Sequence, residues 1–244
     1  MTEREIRVEA RGLTKYFGKF LAVDHLSFSL NKGSLTGLLG GNGAGKTTTI
    51  SMLLGLLNPT TGSVHIFNRD LAREKGSILT RMNFCSPYVD LPQRLTVWEN
   101  LSVFARLYRV PQPRQRIEEL ADEFRLGELL RKPIRRLSSG QKTRVSLVKA
   151  LINQPDFLLL DEPTASLSPD VSLWIRERLK KYRDSTGATI LFASHDMREV
   201  ELLCDHVLLM NRGRLVDQGS PDSLMKQYNC PSLEEVFLSL NRKD

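Results

Sequence analysis

Leu35-Thr36-Gly37-Leu38-Leu39-Gly40-Gly41-Asn42-Gly43-Ala44-Gly45-Lys46-Thr47 runs a short apolar strand straight into a glycine-rich loop. The loop, Gly40 to Thr47, fits G-x-x-x-x-G-K-[ST] in full. Its glycines let backbone N–H groups turn inward and approach phosphate oxygens with no Cβ in the way. The next stretch, Thr47–Leu57, carries leucines and isoleucine at helical spacing and stops at Asn58-Pro59. That helix adds its positive N-terminal end to the loop. Strand, loop and helix in this order predict a phosphate site in an α/β fold. In it Lys46 reaches the β- and γ-phosphates and the Thr47 hydroxyl ligates Mg²⁺. Gly40, Gly41, Asn42, Gly43, Ala44, Gly45 and Thr48 complete the cradle.

Outward from this unit, Ile6–Ala10 and Ala22–Leu30 read as strands. Phe157–Leu160 and Ala188–Ala193 are continuous apolar runs, the pattern of buried parallel strands, with a helix, Val171–Tyr182, between them. Val207–Met210 and Arg214–Val216 form a hairpin around Asn211-Arg212-Gly213. Between Thr96 and Ala150 the pattern is helical, with Val97–Val110 and Gln115–Phe124 the clearest stretches. The expected organisation is one domain: an α/β core over 1–88 and 155–220, an inserted, mostly helical subdomain over 89–154, and a helical tail over 221–244.

The chain has 244 residues, 41% hydrophobic and 26% charged, enough for one substantial core. Its longest apolar runs are strand-sized, far short of the roughly 20 residues of a membrane helix. Met1-Thr2-Glu3-Arg4-Glu5 has no apolar stretch behind it and is not a secretory signal, so a cytosolic protein is expected. Cys85, Cys204 and Cys230 form no C-x-x-C pair and fit reduced thiols. The net charge is +7, dispersed apart from Arg131-Lys132 and Arg135-Arg136. No helix-turn-helix or RNA-recognition signature accompanies it, so a solvated basic face is expected and no nucleic acid.

Three further motifs carry chemistry. Asp161-Glu162 ends the strand Phe157–Leu160 and is followed by Pro163-Thr164. Ser194-His195-Asp196 follows another strand, at the sheet edge where α/β folds place ligands. Leu137-Ser138-Ser139-Gly140-Gln141 is a helix start, with Ser138 and Ser139 able to cap and Gln141–Ala150 continuing as helix. Together with the phosphate loop, this set resembles the ATP-binding cassette (ABC) ATPases over nearly the whole chain. Gly55-Leu56-Leu57-Asn58-Pro59-Thr60-Thr61-Gly62 and Ser232-Leu233-Glu234-Glu235-Val236-Phe237-Leu238 look most like bacterial antibiotic-efflux exporters.

The resemblance implies a P-loop NTPase core of mixed sheet with helices, binding ATP and Mg²⁺. It implies Thr47 and Asp161 as metal ligands, Glu162 as general base and His195 as the γ-phosphate switch. It also implies that Ser138, Ser139, Gly140 and Gln141 close over nucleotide held by a second copy, solvent-facing until then. Phe17 is the expected adenine-stacking aromatic, with Tyr16 as alternative. A separate membrane permease is the implied partner, met through Ser86–Arg94 at the inner face of the membrane. A soluble, non-transport ABC ATPase and a catalytically weak regulatory cassette are the alternatives.

Three positions depart from the family pattern. Gly41 replaces a usual proline, Ser86-Pro87-Tyr88 lacks the expected Mg²⁺-coordinating glutamine with Gln93 out of register, and Ser168 replaces aspartate before Pro169. The last two put the hydrolysis rate and its coupling in question.

Overall fold

A computed structural model describes residues 5–87, 90–165 and 167–241. Tyr88, Val89 and Ser166, on which parts of two loop expectations fall, lie outside the described residues, as do 1–4 and 242–244.

Two sheets form. β1 (Ile6–Phe17) and β2 (Phe20–Asn31) pair antiparallel, and β4 (Thr61–Ile66) and the short β5 (Arg69–Asp70) extend them in the order β2-β1-β4-β5. The second sheet runs β10-β9-β3-β8-β7-β6. Its members are β3 (Leu35–Leu39), β6 (Met82–Cys85), β7 (Phe157–Asp161), β8 (Thr189–Ser194), β9 (His206–Asn211) and β10 (Arg214–Gly219). All of its pairings are parallel except β9 with β10.

The apolar runs of the central strands have a simple cause. Successive side chains of a strand point to opposite faces, and both faces of this sheet are covered. Leu35 and Leu39 of β3, Leu158 and Leu160 of β7, Ile190 and Phe192 of β8, and Val207 and Leu209 of β9 enter one core. Their alternates Leu38, Leu159, Leu191 and Leu208 enter the other, shared with the antiparallel sheet and the first helix.

That helix, α1 (Lys46–Leu53), follows the phosphate loop; α2 (Leu71–Leu79) precedes β6. α3 (Val97–Leu107), α4 (Pro113–Glu123) and α5 (Ser139–Leu151) lie between β6 and β7, and their buried apolar residues belong to the first core. α6 (Pro169–Thr186) and α7 (Met197–Leu203) flank β8, and α8 (Pro221–Tyr228) and α9 (Leu233–Asn241) follow β10.

Some boundaries differ from the sequence expectation. α1 ends at Leu53 rather than Leu57, because Gly55 adopts a left-handed conformation (φ 63°) and closes the helix. β1 continues seven residues past Ala10, since pairing with β2 and β4 absorbs Gly12 in register shifts. α3 stops before Arg109, which has φ 53°.

Gly37 in β3 lets α7 approach closely: a Cβ there would run into the Val200 side chain. Gly37→Ala should therefore lower unfolding free energy by about 1–3 kcal/mol through overpacking. Chemical denaturation at unchanged m-value is the check, and an unchanged midpoint would contradict this packing.

Candidate functional site

β3 ends at the sheet's carboxyl edge, and the loop that follows turns tightly enough to start α1 at Lys46. Gly45 makes that turn with φ 97°, and a Cβ on it would lie 2.8 Å from the Ala22 carbonyl oxygen. A Cβ on Gly40 would meet the Met210 carbonyl oxygen at 2.6 Å. The Gly213 N–H holds the loop from the β9–β10 turn by donating to the Ala44 carbonyl at 3.1 Å. These positions accept glycine for steric reasons, and the result is a rigid cradle of backbone N–H groups.

The cradle lines a cleft of about 220 Å³ formed by Phe20, Ala22, Gly41 through Thr48, Asp161 and Glu162. Gly40 sits just behind this lining. Lys46 is buried, and its Nζ donates to the Gly40 carbonyl at 2.5 Å and the Gly41 carbonyl at 3.3 Å. Burial pulls its ammonium below the usual lysine range, against the opposing pull of Glu162 and Asp161. Asp161, at the end of β7, is buried too. Burial raises its carboxyl, as does neighbouring Glu162, while a hydrogen bond from Ser86 and the charge of Lys46 oppose the shift.

The donor set fits a magnesium-bound nucleoside triphosphate. It offers an ammonium whose hydrogen-bond acceptors among the described residues are carbonyls, a buried carboxyl that a cation would relieve, an exposed Thr47, and a loop with no room for a Cβ at Gly40 and Gly45. Thr47 and Asp161 would hold the metal.

Glu162 follows Asp161 with φ 48°, a strained conformation for a non-glycine residue. Its side chain is fixed on both oxygens. Oε1 accepts the His195 backbone N–H at 2.9 Å and lies 2.7 Å from His195 Nδ1, while Oε2 accepts the Ser194 hydroxyl at 3.3 Å. His195 and Glu162 also share a neighbouring cleft of about 530 Å³ with Thr164, Arg176 and Glu199.

Ser138-Ser139-Gly140-Gln141 stands outside the phosphate cleft. Ser138 caps α5 in a reciprocal box: its hydroxyl accepts the Gln141 N–H at 3.3 Å, and Gln141 Oε1 accepts the Ser138 N–H at 3.0 Å. Of the four residues expected to face solvent, Ser138 and Ser139 are exposed, while Gly140 and Gln141 are partly covered and Gln141 is occupied by the cap. Ser139 does line a different cleft, with Ser86, Pro87, Lys142 and Glu162.

The aromatic residues sit at different distances from the cleft. Phe17 and Tyr16 are half exposed at the end of β1, and neither lines the cleft. Phe20 does. Phe17 and Phe20 oppose each other across the β1–β2 turn, so they share a face, and Phe20 is the one set beside the loop.

Other contributors were not legible as such. Ser86 donates to Asp161 Oδ2 at 3.3 Å, tying the loop after β6 to the end of β7; Gln93 Nε2 instead donates to the Leu91 carbonyl. The Thr164 hydroxyl donates at 2.5 Å to buried Glu199 of α7, whose carboxyl burial raises. Buried Lys149 of α5 donates to the Phe84 carbonyl at 2.6 Å and lies over the Phe84 ring. Only the D-x-x-E spacing of Asp196 and Glu199 hinted at any of these. Ser168 begins α6 with no capping bond from its side chain. The Cys85 thiol is buried and pushed up to about 11, unsuited to a nucleophile.

Comparison with known proteins places this geometry. Residues 23–165 match the family model described as ABC transporter. The chain is 38% identical over 232 residues to Nod factor export ATP-binding protein I of Ralstonia nicotianae, covering 94% of this chain and 72% of that protein. It is 35% identical over 250 residues to the probable multidrug ABC transporter ATP-binding protein YbhF of Escherichia coli, covering 98% of this chain but 42% of YbhF. A solved ATP-binding subunit of an ABC transporter superposes with TM-score 0.89 at 27% identity, covering 96% of this chain and 99% of that one.

The raised Asp161 carboxyl has a sign that can be checked. An ionised Asp161 costs the folded state above its raised pKa, and that cost vanishes once both folded and unfolded forms are protonated. Asp161→Asn should raise the melting temperature of the nucleotide-free protein at neutral pH. The gain should shrink as pH falls through the carboxylate range, in paired thermal scans.

Proposed function

This chain belongs to the ABC transporter family as an ATP-binding, ATP-hydrolysing cassette, and we propose that it works as a head-to-tail dimer powering export through a separate membrane permease. One arrangement supports this reading above all. The phosphate cleft gathers Lys46, Thr47, Asp161 and Glu162, while Ser138–Gln141 lies outside its lining with Ser138 and Ser139 exposed. A second copy turned head to tail brings its own Ser138–Gln141 over that cleft and adds a capped helix N-terminus to the γ-phosphate.

The residues divide the work. Lys46 turns from the Gly40 and Gly41 carbonyls to phosphate oxygens. Thr47 and Asp161 would hold Mg²⁺, which when bound would neutralise phosphate charge. Glu162 takes the proton of the attacking water. His195, bonded to Glu162 through both its backbone N–H and Nδ1, holds that carboxylate in line. Phe20, with Phe17 opposite, offers the adenine a stacking face.

Ser86–Arg94, apart from the two residues outside the described set, is the proposed permease contact. The Ser86 bond to Asp161 links that loop to the metal site, so displacement by the permease alters a partner of Asp161. No helix among the described residues is long and apolar enough to cross a membrane. The similarity to a Nod factor exporter and a probable multidrug transporter supports export. Placement at the inner face of the membrane, through the permease, follows from it.

A regulatory, slowly turning cassette is the second reading, favoured by the uncapped Ser168 and the missing glutamine. Glu162→Gln tests both. It should lower hydrolysis by about 10²–10⁴-fold and trap a Mg-ATP dimer visible by size exclusion, while ADP leaves a monomer. If wild-type turnover already equals that of the variant, the regulatory reading replaces the motor. Phe17→Ala and Phe20→Ala, measured by nucleotide titration, should each weaken ATP binding by about 5- to 100-fold if both stack. A loss confined to Phe20→Ala assigns the adenine to that ring alone.

A further inference from the structure

The excess positive charge is not spread over the fold. Thirteen of the Lys and Arg residues and seven of the Asp and Glu residues fall in 89–154, so this segment carries six of the chain's seven net charges. Within it, five cations are brought to one place by backbone pairing. Thr96 and Pro133 form an antiparallel bridge, Val97 N–H donates to the Lys132 carbonyl at 3.1 Å, and Ile134 N–H donates to the Leu95 carbonyl at 3.0 Å. Arg135 N–H then donates to the Gln93 carbonyl at 3.0 Å. This sets Arg135 and Arg136 beside Arg94, with Arg131 and Lys132 one step further along.

All five side chains are exposed, and none forms an ion pair among the described residues. The nearest carboxylates along the chain, Asp90 and Glu128, form no ion pair among the described residues, and Glu99 is committed to the Thr96 N–H and hydroxyl at 2.7 and 2.8 Å. Like charges set across a paired backbone repel. The ridge is nonetheless rigid, because the Thr96–Glu99 capping box and buried Ile134 and Val97 fix both its strands. Five uncompensated cations held together on a fixed backbone favour an anionic surface over them.

We propose that the ridge of Arg94, Arg131, Lys132, Arg135 and Arg136 binds anionic phospholipid headgroups of the membrane to which the cassette is recruited. Its position beside the bilayer rests on the permease reading, since Arg94 closes the proposed contact segment. Two features favour a lipid surface over an acidic protein segment. The adjoining cleft is lined by Asp90, Leu91, Gln93 and Ile134 and by none of the five cations. The cations therefore offer no pocketed site for a peptide. An array of four to eight cations is also the size that anionic leaflets attract, each adding about fivefold to binding.

The purified full-length chain, without any permease, should sediment with phosphatidylcholine vesicles containing about 30% phosphatidylglycerol and not with pure phosphatidylcholine. Raising ionic strength to about 1 M, where the Debye length is about 3 Å, should release it. Arg135→Glu with Arg136→Glu should weaken vesicle binding by more than about 25-fold. Basal ATPase should be unchanged, which also reports that the variant folds. Equal binding to both vesicle types, or undiminished binding by the double variant, overturns the proposal. So does failure to bind vesicles; if polyglutamate then binds through the same arginines, the ridge belongs to an acidic protein partner. None of these failures touches the motor reading, because the Glu162→Gln dimer is scored without a membrane.

Discussion

Two charges buried at one edge of a sheet, Lys46 and Asp161, set the terms for the rest of this molecule. They do not pair with each other among the described residues: Lys46 turns to two carbonyls, and Asp161 takes a hydroxyl from Ser86. Burial works against the charged form of both. A folded protein tolerates this only where the surrounding framework is stiff and well packed. The doubly covered sheet, with side chains sorted alternately into two cores, supplies that stiffness. A magnesium-bound triphosphate would relieve the cost of these buried charges, so empty-site strain and affinity would be two sides of one arrangement.

The strength of the sequence signal followed how local its cause was. The phosphate loop was fully legible because strand, glycines and helix are contiguous, and the steric need for Gly40 and Gly45 is met by neighbouring chain. The central strands were legible because burial on both faces leaves unbroken apolar runs. β6 was not: Met82-Asn83-Phe84-Cys85 is short and contains a buried asparagine. That asparagine makes sense against distant partners, the Lys149 carbonyl and the Asn153 side chain, to which it donates at 3.3 and 2.8 Å. The same holds in the site. In sequence Ser86 marks only a missing glutamine, whereas the fold brings it to Asp161, and Phe20 carries no local signal because the hairpin register is what sets it beside the loop.

Between these extremes lies the joint of the helical segment with the sheet. α5 begins at the exposed Ser138 cap and ends near a polar knot in which Lys149 and Asn153 hold the carbonyls of Phe84 and Met82. One helix thus connects the surface proposed to face a partner to the strand that leads into Ser86.

The alternation of the central strands has a further consequence, for how the protein comes apart. Leu38 and Leu39, Leu159 and Leu160, Leu191 and Phe192, and Leu208 and Leu209 are neighbours on the chain yet anchor opposite cores. Neither core can melt without withdrawing alternate side chains from strands that the other still holds. Unfolding should then be a single cooperative event across the sheet, with amide exchange in β3, β7 and β8 limited by global opening. The nucleotide site, built on the ends of those same three strands, has no private route to disorder.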